Sequence, residues 1–271
     1  MARENTVYLY GQIITVPRIR YLDGTAVSAM FSIKVLRRNA NSGTEHKKIY
    51  FDCPVIRTKN KLLIEQIAGL TKGDMIITRG LITTREVEKL TICPECGARN
   101  VQQGNAVYVT PISIMCVERE VSELAGVQLL KEHNEISNNV IVIGNICKAP
   151  EFYEDANKRT YAQYQMAVNR RFHVKEDAQT TDYPWIKTFG RQATNDSRCL
   201  VVGSGIYING ALQSRDITRS TTCSCSHTYE WDESVLEIVP YYIGYLSNCN
   251  VDTDEVETEE LEPREDSIIS E

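Results

Sequence analysis

Short apolar or alternating runs, separated by turn formers, recur along most of the chain. Period-two alternation puts every second side chain on one face of a strand. On that criterion the second half predicts strands at 139–147, 161–170, 184–190, 205–214 and 235–243. The run Asn60-Lys61-Leu62-Leu63-Ile64-Glu65-Gln66-Ile67 breaks the alternation, and its apolar residues at 62, 63 and 67 fit one face of a short helix. The stretch 119–133, with Val121, Leu124, Val127 and Leu129, reads equally as a second helix or an ordered loop.

The pattern occurs twice. Val7-Tyr8-Leu9-Tyr10-Gly11-Gln12-Ile13 aligns with Val140-Ile141-Val142-Ile143-Gly144-Asn145-Ile146 at an offset of 133. The same offset carries Pro17 onto Pro150, Phe31-Ser32-Ile33-Lys34-Val35 onto Tyr164-Gln165-Met166-Ala167-Val168, and Arg37-Arg38 onto Arg170-Arg171. At an offset of 130, Gly80 and Arg85 fall on Gly210 and Arg215. A repeat fixes architecture more firmly than local propensity. Five short strands with one longer connection after the third suit a small closed barrel. The expected organisation is all-β with short helices: a barrel at 1–118, a linker with helical character at 119–137, a second barrel at 138–247 and an acidic tail at 248–271.

The formal net charge of −6 hides an uneven distribution. Residues 250–271 hold ten acids against Arg264 alone, a net of −9, which leaves +3 on the rest. Residues 1–118 carry 16 Lys and Arg against 10 acids, whereas 138–249 carry 11 against 12, so the basic charge lies in the first half. The tail has almost no apolar content before Ile268 and Ile269, too little to offset its ordering entropy, and is expected to be disordered. No stretch has the pattern of a signal peptide or a membrane span, which predicts a soluble, cytoplasmic protein.

Nine cysteines, an odd number without a secretion signal, argue against a disulfide framework. Cys53, Cys116, Cys147 and Cys199 lie in strand-like apolar surroundings and read as buried thiols. Cys93-Pro94-Glu95-Cys96-Gly97 has the spacing of a knuckle in which two thiolates face one ion. The 130 offset places Cys223 on Cys93, within Cys223-Ser224-Cys225-Ser226-His227. A composite zinc site would therefore use Cys93 and Cys96 with two of Cys223, Cys225 and His227, clamping the two copies; unpaired thiols on flexible hairpins are the alternative. The four histidines lie in loop-like surroundings, and neither a phosphate loop nor a hydrolytic acid pair is present, so catalysis is not expected.

The second copy resembles the bacterial and phage single-stranded DNA-binding proteins of the SSB type. The resemblance is carried by Asn139-Val140-Ile141-Val142-Ile143-Gly144-Asn145-Ile146 with Pro150-Glu151 and Tyr153, by Ala167-Val168-Asn169-Arg170-Arg171-Phe172, by Trp185 through Phe189-Gly190-Arg191, and by Gly203 to Leu212 ending in Ser214-Arg215. It implies two tandem OB-folds that bind single-stranded DNA without reading its sequence, in replication, recombination or repair. Such binding needs base-stacking aromatic faces and cations that track phosphates. Phe172 and Phe189 match family stacking positions, Tyr183 falls where the third strand carries another, and Trp185 would share its face. Ile217 replaces a fourth family aromatic. These rings also fit barrel core, Phe189 more than Phe172 or Trp185, which have polar neighbours. Arg170, Arg171, Arg191 and Arg215 are the matching cations. In the first copy Asn39 stands where Phe172 does, leaving Tyr50 and Phe51 for stacking and Arg37, Arg38, Lys47, Lys48, Arg57, Lys59, Lys61 and Arg85 for phosphate. SSB proteins also recruit partners through acidic C-termini. The resemblance therefore assigns partner binding to Asp266, Ile268 and Ile269, although the family's Pro-Phe ending is missing. Homo-oligomerisation, an adaptor role without DNA contact, and single-stranded RNA binding all fit the same sequence.

Overall fold

The structure, a computed structural model, describes residues 4–37, 49–174 and 177–250. The first barrel runs β1 (Glu4–Ile13), β2 (Arg18–Leu22), β3 (Thr25–Leu36), β4 (Phe51–Asp52), β5 (Val55–Thr58), α1 (Lys61–Ala68), β6 (Met75–Ile92) and β7 (Arg99–Glu118). A connection with α2 (Glu123–Glu132) and α3 (Asn134–Ser137) leads to β8 (Asn138–Glu154), β9 (Thr160–Asn169), β10 (Thr181–Asp182), β11 (Trp185–Phe189), α4 (Gly190–Cys199), β12 (Gly205–Thr222) and β13 (Thr228–Ser247).

Each half closes on itself. β1 pairs with β3, β3 with β5, β5 with β7 and β7 with β6, which returns to β1; the β5–β7 step is parallel, through Ile56 and Val109. The second half repeats the circuit through β8, β9, β11, β13 and β12, with Ile186 beside Ile238 as its parallel step. This is the five-stranded barrel of the OB-fold. Inward positions alternate as the sequence predicts: Phe31, Ile33 and Val35 fill one barrel, and Ala162, Tyr164, Met166 and Val168 the other. Gly11 and its repeat partner Gly144 allow strands to close over the core. A Cβ at Gly144 would stand 2.2 Å from the Ala167 carbonyl oxygen, and one at Gly11 2.8 Å from that of Lys34.

The two barrels share one sheet. β1 and β8 pair antiparallel from Glu4↔Ile143 to Leu9↔Asn138, and Val7 faces Val140, its own equivalent at the offset of 133. An approximate two-fold axis therefore passes through that pair.

Two related carboxylate nodes flank it. Asp52, fully buried, accepts from the Arg37 guanidinium (Nη2, 2.5 Å) and from the backbone N–H of Ser214 in the other barrel (2.7 Å). Its equivalent Asp182 accepts from Arg170 (Nε, 2.6 Å) and from the backbone N–H of Thr84 (2.8 Å). Asp177 extends the second node, bonding Arg170 (2.7 Å) and Arg85 of the first barrel (2.8 Å).

The largest departure from the sequence reading is in β6–β7 and β12–β13. β12 reaches Thr222 and β13 begins at Thr228, well past the expected 205–214 and 235–243. Ser214 to Thr222 lacks apolar alternation because these residues pair across a projecting ribbon and not over a core. The buried-thiol expectation also fails: Cys53 and Cys147 are exposed, and Cys116 and Cys199 only half-buried. Among the described residues no helix is long and apolar enough to cross a membrane.

Candidate functional site

Outward positions on β8, β9 and β11 bring the second barrel's rings together. Across β11 and β9, Trp185 faces Gln165, Lys187 faces Gln163 and Phe189 faces Tyr161; across β9 and β8, Tyr161 faces Tyr153. Tyr153 and Tyr161 stack with centroids 4.8 Å apart. Lys187 lies over Tyr161 (4.4 Å) and near Phe189 (5.7 Å), and Lys148 over Trp185 (4.9 Å). Burial lowers the Lys187 ammonium from its ordinary pKa, Arg215 adds to this, and Glu237 opposes it. Phe189 is 52% exposed, which assigns it to the surface and not to the core. Tyr183, also exposed, and Trp185 line a cavity of about 1330 Å³ between the two ribbons, to which Lys89, Arg215 and Arg219 contribute. Phe172 is half-buried and lies apart from this stripe, between the guanidiniums of Arg79 (5.8 Å) and Arg171 (5.7 Å).

The corresponding face of the first barrel has different chemistry. Its pairings, Val55↔Ser32, Arg57↔Met30 and Arg20↔Ser28, are the repeat equivalents of the second barrel's. Hence Val55 stands for Trp185, Arg57 for Lys187, Lys59 for Phe189, Ser28 for Tyr161 and Arg20 for Tyr153. Arg57 lies over the Tyr108 ring at 5.2 Å. Where one face stacks, the other is cationic.

Several expected contacts are engaged elsewhere. Arg170 has its side chain 2% exposed, and together with Arg37 is held by the buried aspartates, so both are fold-building cations. Arg85 is held by Asp177, Arg215 by Glu237 (2.8 Å), and Arg171 by Glu4 (3.1 Å). Phe51 packs with Tyr10, Met75, Val121 and Leu130 in a side core, so it is not a stacking platform. Tyr50 is exposed beside Arg37 (5.5 Å), and Arg191 is exposed on the first turn of α4. Arg38, Lys47, Lys48, Asp266, Ile268 and Ile269 lie outside the described residues. The sequence reading missed Tyr153, Tyr161, Lys148, Lys187 and Arg20 as site residues. Alternation within β8 and β9 would have found the tyrosines once their cross-strand register was known.

At the ribbon tips the thiols of Cys93, Cys96, Cys223 and Cys225 all lie within 4.8 Å of one another. His227 is not among them; its ring is parallel to that of Tyr229. The backbone N–H of Cys225 draws the Cys223 thiol down to about 6. At Cys96 the Ala98 N–H acts in the same direction, but the Cys225, Cys223 and Cys93 thiols outweigh it and push the group up to about 12.

Residues 137–231 match the Single-strand binding protein family. Single-stranded DNA-binding protein 1 of Staphylococcus aureus (strain COL) is 33% identical over 79 residues, 29% of this chain and 47% of that protein. Single-stranded DNA-binding protein A of Bacillus subtilis (strain 168) is also 33% identical over 79 residues, covering 29% and 46%. The chain thus spans about half the length of these two relatives. Among solved structures, the wild-type single-stranded DNA binding protein from Thermus aquaticus superposes with a TM-score of 0.61 at 18% identity, over 91% of this chain and 95% of that one. At that identity the likeness establishes the fold.

Proposed function

We propose that this chain, whose second barrel belongs to the Single-strand binding protein family, binds single-stranded DNA across both barrels, stacking bases on the second and holding phosphates on the first. The observation that carries this is the outward stripe of Tyr153, Tyr161, Trp185 and Phe189 interleaved with Lys148 and Lys187, matched in the first barrel by Arg20, Arg57 and Lys59. A base of any identity has a face to stack on a ring, at about 1–3 kcal/mol per base. Phosphate contacts are equally indifferent to sequence. Protection of single strands during replication, recombination or repair follows from such binding.

The acidic segment 250–271 has two roles in this reading. Joined to the second barrel through Asn250, its acids compete with phosphate for the chain's cations at low salt, and Asp266, Ile268 and Ile269 offer an acidic-apolar motif to replication or recombination proteins. The β1–β8 pairing already joins two barrels, so one chain supplies what two single-barrel chains would have to assemble. The test is anisotropy of labelled oligo-dT against duplex DNA over a range of salt. Tighter binding of the single strand, weakening as salt rises, is expected; equal affinity for both would overturn the reading.

A further inference from the structure

The projecting ribbons meet only because their tips converge. Thr91 Oγ1 and Asn100 Nδ2 on the first ribbon bond the Tyr229 hydroxyl on the second at 2.9 and 2.8 Å, and Lys89 pairs with Glu233. Beyond these contacts the tips hold a small apolar cluster of Cys93, Cys223, Tyr229, Ala98 and Trp231. A cluster this small, at the end of two ribbons far from either barrel core, buries little surface against its ordering cost. Something further should fix the tips.

We propose that Cys93, Cys96, Cys223 and Cys225 bind one Zn²⁺ that joins the two ribbon tips. Four sulfurs at about 2.3 Å from a common centre, arranged as a tetrahedron, stand about 3.8 Å apart. Cys93 and Cys225 have their sulfurs 3.8 Å apart, and Cys96 and Cys223 3.6 Å apart. Both pairs run between ribbons, and their spacing is that of a tetrahedral edge and well above the roughly 2.05 Å of a disulfide bond. The turns are shaped for it: Gly97 and Ser226 take positive φ (71° and 68°), which folds each tip back on its first cysteine. The Cys93 carbonyl accepts from the Gly97 N–H at 2.9 Å, and the Cys223 carbonyl from that of Ser226 at 2.8 Å. Cys93 and Cys223 are buried and Cys96 and Cys225 exposed, so the ion would enter from one side and be shielded on the other. An all-sulfur tetrahedral set suits zinc and disfavours hard cations such as magnesium and calcium, and with four protein ligands leaves no open position for catalysis. The metal closes the two ribbons into an arch over the cavity lined by Tyr183 and Trp185. This assignment is independent of whether the cavity holds DNA.

The experiment is metal analysis of the full chain purified under reducing conditions without chelator, with intact mass under denaturing, non-reducing conditions. One zinc per chain is expected, with Cys93, Cys96, Cys223 and Cys225 protected from alkylation until a chelator is added. Cobalt exchanged into the unmutated chain should give the intense visible absorption of tetrahedral thiolate coordination, a readout that needs no variant. The double variant Cys96→Ser with Cys225→Ser should lose the metal while Cys53→Ser retains it. Zinc-free protein with four freely reactive thiols, or with a mass showing two disulfides among these cysteines, would overturn the site. Zinc retained at full stoichiometry by the double variant would overturn this ligand set.

Discussion

The two barrels share a circuit of strands, a core pattern and a carboxylate node, yet their outer faces differ at nearly every aligned position. Val55, Lys59, Ser28 and Arg20 occupy the places of Trp185, Phe189, Tyr161 and Tyr153. Inward positions answer to packing density, so both copies keep them apolar. Outward positions are free of that constraint, and two copies within one chain can take separate tasks there. The difference teaches that on this face the first barrel places three cations, Arg20, Arg57 and Lys59, where the second places Lys187 among rings.

The largest expected effect comes from removing the rings. Trp185→Ala with Phe189→Ala should lower oligo-dT affinity by about 2–6 kcal/mol, from two bases at about 1–3 kcal/mol each, with little change in salt dependence. Anisotropy titrations at several ionic strengths check both parts, and a flattened salt slope in this variant would break the comparison. Next in size is the contrast between equivalent carboxylates. Asp182→Ala leaves Arg170, whose side chain is only 2% exposed, with Asp177 as its remaining carboxylate and takes the acceptor from the Thr84 N–H; it should cost about 3 kcal/mol of stability, the low end for a broken buried pair. Asp52→Ala should cost less, because the Arg37 side chain keeps 24% of its exposure and can be hydrated. Denaturant unfolding of the two variants measures the difference; equal losses would show that the nodes are not graded by burial.

A smaller effect separates charge from stacking. Arg57→Ala with Lys59→Ala should reduce the slope of log affinity against log salt by about 1.4, from about 0.7 per phosphate contact on a single strand. An unchanged slope would remove the first barrel from the phosphate path. The smallest effect concerns acid. Hydrogen bonding and the Arg170 guanidinium overcome burial and hold Asp177 below its ordinary pKa of 3.8; the Glu120 and Thr71 N–H groups do the same for Asp74. Their contribution is present above 3.8 and lost as pH falls through the lowered folded values. Asp196, buried beneath the Tyr164 and Tyr245 hydroxyls, is shifted upward, so its protonation favours the folded state as pH falls through its raised value. Its equivalent in the first barrel is Gln66, so only the second barrel has this offset. Stability followed from pH 7 towards about 2 should fall more gently in the unmutated chain than in Asp196→Asn.

Much of this was legible before the structure. The offsets of 133 and 130 placed two five-stranded barrels, and the four-cysteine cluster came from aligning Cys223 with Cys93. The apolar positions 62, 63 and 67 placed α1 but misjudged its face, which buries Leu63, Ile64 and Ile67 and leaves Leu62 exposed. What stayed hidden depends on register and on long-range pairing. A charged residue reads the same whether it faces solvent or a buried carboxylate, so Arg37 and Arg170 passed as phosphate contacts until Asp52 and Asp182 appeared beside them. Phe51 and Trp185 both lie in third-strand segments, and only the pairing of Phe51 with Leu36 and of Trp185 with Gln165 separates side core from outer face. The ribbons were invisible to alternation because their polar residues are held by the facing strand.

The approximate two-fold through Val7 and Val140 bears on the direction of a bound strand. Rotation about such an axis reverses any line crossing both barrels at right angles to it. A nucleic acid strand is not the same read backwards, since its sugars point one way along the chain. Two identical faces related by this rotation would each prefer the opposite 5′-to-3′ sense, and a strand taking the short path across both would suit only one of them. Unlike faces remove the conflict. Rings on the second barrel can set the sense of travel, while the guanidinium and ammonium groups of Arg20, Arg57 and Lys59 hold a phosphate equally well whichever way the sugars run.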